Sequence, residues 1–187
     1  MESVLEATTS SATTTSTSKS LTAIIVSHAA LIDNALEQIR KQSHQVDEII
    51  LIQCCGDITD EEIDIEVYNA HRDDFGHLAR DIGLRLATKD YVWWVNCDDE
   101  YDPEFIRKLI DTDVQLAYCD WDERGRIQES YVGLGTITSG NFIIERKLAQ
   151  KVGWNHRDYC ADGRFLLDVW NELPTFAHIP EVLYTHR

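Results

Sequence analysis

The sequence predicts an α/β protein built on a mostly parallel central sheet flanked by helices, with a short antiparallel part toward the C-terminus. Three observations lead there. Short apolar runs rich in β-branched residues, at 21–26 and 48–52, alternate with stretches whose apolar residues recur three and four apart, the order that a parallel sheet with crossover helices requires. The run Tyr91-Val92-Trp93-Trp94-Val95 offers bulky side chains to both faces and so belongs in the middle of the sheet. Beyond residue 113 the alternation loosens, and two runs joined by Glu123-Arg124-Gly125-Arg126 read as strands meeting at a turn.

In order, residues 21–26 form the first buried strand. Leu31, Ile32, Ala35, Leu36 and Ile39 follow at helical spacing, predicting a helix to about Gln42. Strands are predicted at 48–52 and 63–68. Leu78, Ile82 and Leu86 share one helical face, with Ala79 and Gly83 beside them where a close approach to a sheet is expected. After the central strand, Asp102 and Pro103 are the N-cap and first turn of a helix that turns Phe105, Ile106, Leu109 and Ile110 inward. Strands at 114–119, 127–132 and 141–144 lead to a last helix from Asp162 that buries Phe165, Leu166, Val169 and Trp170. Short strands around Phe176 and Leu183 close the chain.

Composition narrows the function. Of 187 residues, 33 are Asp or Glu and 17 are Lys or Arg, a formal charge of −16. Polyanion binders carry the opposite sign, so nucleic acid and anionic membrane surfaces are not expected partners. With 43 % hydrophobic residues and a mean hydropathy of −0.30, the chain reads as globular. Residues 1–20, rich in Ser, Thr and Ala from Thr8 on, are expected to be a disordered tail, leaving 21–187 as a single domain. The five cysteines, Cys54, Cys55, Cys97, Cys119 and Cys160, have no zinc-like spacing and predict reduced thiols. No secretory leader pattern and no apolar run near ~20 residues is present, which predicts a cytoplasmic protein without a membrane span.

Ligands of open α/β sheets bind at the carboxyl ends of the strands. After the fourth strand comes Asn96-Cys97-Asp98-Asp99-Glu100-Tyr101-Asp102-Pro103, and between Asp90 and Ile106 there are six acidic side chains and no basic one. Such crowding is relieved by a hard divalent cation with oxygen ligands. The plainer alternative is a solvated acidic loop in which Asp102 only caps a helix.

The stretch from Phe75-Gly76-His77-Leu78-Ala79-Arg80-Asp81-Ile82-Gly83 through Ala87-Thr88-Lys89-Asp90-Tyr91 to Asp98-Asp99 and Pro103 resembles family 2 glycosyltransferases of the GT-A (Rossmann-like) fold. Glu48-Ile49-Ile50-Leu51-Ile52 is similar to that family's second strand. Cys160-Ala161-Asp162 stands at its Glu-Asp base motif, and residues 178–187 resemble its closing strands. The resemblance implies a nucleotide-sugar donor, UDP-linked, a carbohydrate or other hydroxyl acceptor, and Mn²⁺ or Mg²⁺. It places Asp98 on the metal, with Asp99 in reserve and His186 as a C-terminal ligand for which His178 competes. It puts Ser27, His28, Ala29 and Gln53 near the base, Arg80 and Arg72 near the diphosphate, and Asn96 and Cys97 in the family's Asp-x-Asp motif. Asp162 becomes the base of an inverting displacement. Asn96 departs from the motif's first acid and Gln53 from the acidic base reader.

Other accounts stand beside these roles. Arg80 equally fits a salt bridge on its helix, and Asp162 a helix N-cap. The segment 133–141, with three glycines, is either a closing loop or a plain connection, and Trp121, Trp154 and Tyr159 are sugar-stacking candidates or core aromatics. Two rival functions remain: a non-catalytic nucleotide-sugar or partner-binding module, and a metal-dependent phosphohydrolase. The second is disfavoured because an Asp-x-Asp nucleophile motif would follow the first strand. Whether the chain forms a homo-oligomer stays open.

Overall fold

In the computed structural model, residues 19–27, 31–53, 60–68 and 74–187 are described. Most of the expected tail and the residues His28, Ala29, Cys54, Cys55 and Arg72 lie outside them. The first half alternates strand and helix: β1 (Leu21–Ser27), α1 (Ile32–Arg40), β2 (Glu48–Gln53), β3 (Ile65–Tyr68), α2 (His77–Leu86) and β4 (Tyr91–Asn96). The second half comprises β5 (Glu100–Tyr101), α3 (Phe105–Ile110), β6 (Leu116–Glu123), β7 (Arg126–Gln128), β8 (Phe142–Glu145), α4 (Arg146–Val152), α5 (Ala161–Asn171) and β9 (Phe176–His186). They form one sheet of order β3-β2-β1-β4-β8-β6-β9-β5, with β7 paired to β6. β3, β2, β1 and β4 are parallel. β8 runs antiparallel between β4 and β6, as does β5 along β9.

Side-chain alternation divides the core between the two faces of the sheet. Leu21, Ala23 and Ile25 of β1 and Trp93 of β4 pack toward α1 and α3. Ile24, Val26 and Trp94 pack toward α2, α4 and α5. A strand with a tryptophan on each face needs a helical layer on both, and β4 has one, between β1 and β8.

Several elements differ from the sequence reading. The buried face of α2 is His77, Ala79, Asp81, Gly83 and Leu84, while Leu86 is exposed. The helix lies so near β1 that a Cβ on Gly83 would sit 2.3 Å from Ile24 Cγ2; small residues occupy the contact and the larger ones move to its rim. α3 starts two residues beyond Pro103, and the Asp102 carboxylate accepts the Glu104 N–H at 2.8 Å. The second strand of the predicted hairpin ends at Gln128, because the Ser130 N–H turns to the Asp120 carboxylate at 2.8 Å. The two short closing strands are one strand, β9. Its register against β6 jumps from Cys119↔Ile179 to Asp120↔Val182, so Pro180 and Glu181 form a bulge that absorbs a residue without an N–H. Trp170 is half-buried against Phe176, with ring centroids 4.5 Å apart. Trp121 and Trp154 are core aromatics and Tyr159 is exposed. No helix among the described residues is long and apolar enough to cross a membrane.

Candidate active site

Pairing of β2, β1 and β4 puts their last residues side by side: Gln53 is opposite Ser27, and Asn96 opposite Val26. Ser27 and Gln53 are buried. The Gln53 amide nitrogen donates to the Glu66 carboxylate, which fixes the amide's orientation and leaves Oε1 buried without a hydrogen-bond partner among the described residues. A buried acceptor in that state is costly unless a ligand supplies a donor.

The loop after β4 is organised around Asp99, which is 0 % exposed. One carboxylate oxygen accepts from His186 Nδ1 at 3.0 Å and from the Arg187 N–H at 3.2 Å. The other accepts from Asn96 Nδ2 at 2.8 Å and from the Tyr184 hydroxyl. Burial pushes the Asp99 carboxyl up, but the bonds from His186, Tyr184 and Asn96 outweigh it and hold the group below its ordinary range. His186 is raised, first by its bond to Asp99 against the effect of burial, with Asp98 adding its charge. All four lone-pair directions of Asp99 are therefore engaged, so its geometry suits orienting His186 better than ligating a cation. With Nδ1 on Asp99, the imidazole turns Nε2 to the far side of its ring.

Asp98, in contrast, is exposed. Its neighbour Cys97 is buried and bonds inward, the thiol to Val26 O at 3.5 Å and the carbonyl to Asn34 Nδ2 at 2.7 Å. Burial raises this thiol to about 11, which keeps it protonated. Asn96 is a cross-brace. Its amide nitrogen also reaches the Tyr184 hydroxyl at 3.2 Å, and its Oδ1 accepts from Arg80 at 3.0 Å and from Ser139 Oγ at 3.4 Å. His178 is held elsewhere, Nε2 on Asp120 at 2.7 Å and its ring stacked on Tyr118.

Arg80 enters from α2. One terminal nitrogen donates to Phe75 O at 2.8 Å and the other to Asn96, while Nε is buried and has no partner among the described residues. The acids nearest it in sequence, Asp74 and Asp81, pair with Arg157; among the described residues Arg80 forms no ion pair. Burial lowers its pKa against the opposing charge of Asp162, and a guanidinium stays charged all the same.

Asp162 lies in the first turn of α5, whose cap position falls on Cys160. Its Oδ1 accepts the Gly163 N–H at 2.8 Å. Burial raises its carboxyl above the ordinary range, opposed by the Gly163 and Ser139 backbone bonds and by Arg80. The glycine-bearing segment is packed in place here. A Cβ on Gly140 would sit 2.5 Å from the Tyr184 ring, and Gly163 faces the Gly133 carbonyl.

Of these groups Arg80, Asn96, Cys97 and Asp98 line a cavity of ≈ 250 Å³, together with Val26, Leu31 and Phe75. A larger hollow, ≈ 530 Å³, lies beside Asp47, Glu48 and Ile49 at the amino end of β2, where the carboxylates are engaged in the fold: Asp47 on Leu21 N and Glu48 on Thr22 and Thr88. The smaller one is the candidate site, being at the carboxyl ends of the parallel strands. Tyr184, which reasoning from sequence missed, braces Asp99 and Asn96 behind it; a strand period of two places Tyr184 on the same side as His186, and that was the available signal.

The parallel half-sheet with a cavity at its strand ends, continued by a mixed half in which β8 and β5 run antiparallel and β9 runs parallel to β6, defines the GT-A class of α/β proteins. Residues 22–171 match the sequence profile of Glycosyl transferase family 2, and the chain belongs to that family. Among solved structures it is similar to TarS of S. aureus, with a TM-score of 0.71 and 14 % identity over 89 % of this chain and 36 % of that one. TarS 1-349 in complex with UDP-GlcNAc gives a TM-score of 0.70 and 13 % identity over 90 % of this chain and 59 % of that one. The complex of TarS 1-349 with UDP gives 0.65 and 14 % over 89 % and 60 %. The chain thus spans between about a third and three fifths of the TarS chains. At such identities the likeness shows the fold. No curated protein matches the sequence.

Proposed function

We propose that the chain transfers a sugar from a UDP-linked donor to an acceptor hydroxyl by a single inverting displacement, with Asp162 as the base. One observation carries this reading: Arg80, a half-buried guanidinium without an ion-pair partner among the described residues, lines the cavity, and Asp162, a carboxylate raised by burial, lies near enough for the two charges to act on each other. The first suits the negative charge of a departing diphosphate. The second suits proton removal, because a raised carboxyl is a stronger base than an ordinary one. The acceptor oxygen attacks the anomeric carbon, the bond from that carbon to the diphosphate breaks, and Asp162 takes the acceptor's proton. Gln53 Oε1, held as an acceptor by Glu66, suits a base edge that presents an N–H, as uracil does.

The donor set fits a divalent cation. Asp98 offers an exposed carboxylate and His186 an imidazole oriented by a carboxylate through its other nitrogen, as metal-bound histidines commonly are. Among the described residues no three His, Cys, Asp or Glu side chains form a ready-made cluster, so Asp98 and His186 would hold a Mn²⁺ or Mg²⁺ whose other ligands are water and phosphate oxygens. When bound, the cation would supply charge to stabilise the leaving nucleoside diphosphate.

The test is thermal unfolding with UDP, CDP and GDP, with and without Mn²⁺, followed by UDP release from a panel of UDP-sugars. A nucleotide at ~100 times its Kd stabilises by ~2.7 kcal/mol. A UDP-selective shift with UDP release that Asp162→Asn abolishes supports the proposal. Binding without release from any donor favours a binding module, and no shift with any nucleotide refutes the donor site.

A further inference from the structure

We infer that Phe75 and Tyr159 form a stacking platform for a saccharide acceptor at the mouth of the cavity. The inference rests on the proposed transferase reading and names the acceptor class. Phe75 is 58 % exposed and Tyr159 80 %, yet their rings meet edge to face with centroids 5.7 Å apart. Two large aromatic rings left in water beside each other mark a contact surface more often than isolated exposed residues do.

Their position ties them to the chemistry. Phe75 lines the cavity together with Arg80, Asn96 and Asp98, and its carbonyl accepts from Arg80 at 2.8 Å. Tyr159 precedes Asp162 by three residues, in the turn that leads into α5, where the Ala161 N–H bonds to Asp158 O at 2.9 Å. A molecule resting on the two rings therefore lies at the edge of the cavity that Phe75 shares with Arg80 and Asp98.

The turn that carries Phe75 is held by the fold. Phe75 has φ 56°, a left-handed conformation uncommon for a bulky residue, and the Asp74 carboxylate holds the turn by accepting the Gly76 and Leu78 N–H groups at 3.1 and 2.7 Å. Strained residues that the surroundings fix in this way cluster at ligand clamps.

A pyranose fits the surface for two reasons. Its C–H face suits the electron-rich face of an aromatic ring. Its hydroxyl rim needs donors and acceptors, and the exposed Asp158–Arg164 pair, 3.1 Å apart, stands next to Tyr159. A polyanionic acceptor is disfavoured by the chain's charge of −16.

The experiment titrates the full chain with cellotetraose, chitotetraose and maltotetraose, with and without saturating UDP, following saturation-transfer NMR and intrinsic fluorescence. The expected result is saturable binding of at least one tetrasaccharide, weakened about tenfold or more by Tyr159→Ala, retained in Tyr159→Phe, with the Kd for UDP unchanged in Tyr159→Ala. Binding of none of the three, or equal binding by Tyr159→Ala and the parent, overturns the proposal. Tyr159-dependent tetrasaccharide binding by a chain that binds no UDP supports the saccharide site and removes the donor reading instead.

Discussion

Replacing Asp99 with asparagine tests the organisation of the site most directly. The carboxylate accepts four hydrogen bonds, two on each oxygen. An amide keeps one oxygen, and its NH₂ must face one of the two pairs of donors. Facing His186 and Arg187, it meets an imidazole nitrogen that can switch tautomer and a backbone N–H that cannot accept. Facing Tyr184 and Asn96, it meets a hydroxyl that can rotate and an amide NH₂ that cannot accept unless Asn96 flips. A flip is blocked because Asn96 Oδ1 already accepts from Arg80 and Ser139. Either orientation leaves a buried donor opposed by another donor, at about 1–3 kcal/mol. The remaining bonds also lose their charge assistance, which roughly halves their strength. A total of about 3 kcal/mol follows, and for a chain of this size each kcal/mol moves Tm by about 2–4 °C. Asp99→Asn should therefore melt about 6–12 °C below the parent by calorimetry near pH 7. A Tm within about 2 °C of the parent would refute the view that this carboxylate holds the loop after β4 against the end of β9.

Asp162→Asn should lower turnover by ~10²–10⁴ without lowering Tm at neutral pH. Its folded pKa is raised by burial, so its contribution to stability is present below the unfolded value and lost as pH rises through the folded one, and the amide removes that loss. For the same reason the acid limb of the parent's kcat/KM profile should fall above the ordinary carboxylate range; a limb at or below that range would argue against this base. Gly83→Ala places a Cβ 2.3 Å from the fully buried Ile24. The overpacking, about 2–3 kcal/mol, exceeds the ~1 kcal/mol gained by replacing a mid-helix glycine, so the urea midpoint should drop while the slope holds. Arg80→Lys supplies only a point charge where the guanidinium bonds Phe75 O and Asn96 at once, and the UDP-induced thermal shift should fall by half or more.

The strands of the first half were legible because a β-branched run of six residues, closed by polar residues, has few other fates. The face of α2 was not, because Leu78-Ile82-Leu86 and Ala79-Gly83 share one spacing and only the distance to Ile24 decides between them. α4 escaped notice, since seven residues with Leu148 and Ala149 buried carry too little periodicity. The two closing strands read around Phe176 and Leu183 are one strand, because whether the chain breaks or bulges at Pro180 depends on β6, which lies far away in sequence. In the site, the acidic cluster was visible as composition. Which acid turns outward was not: strand alternation ends at Asn96, and the burial of Asp99 is settled by residues 184–187. Arg80 was equally ambiguous: among the described residues it forms no ion pair, Asp81 being taken by Arg85 and Arg157 and Asp74 by Arg157.

The bonds between Asp99 and the end of β9 span 85 to 88 residues of chain. Contacts so distant in sequence carry a large loop-closure entropy and tend to form after local ones. A partly folded state with β1 to β4 assembled would hold a carboxylate lacking three of its four partners, and His186 would be unoriented. The arrangement of the candidate site is thereby tied to the docking of β9, so a chain arrested midway in folding would lack it even with its parallel half complete.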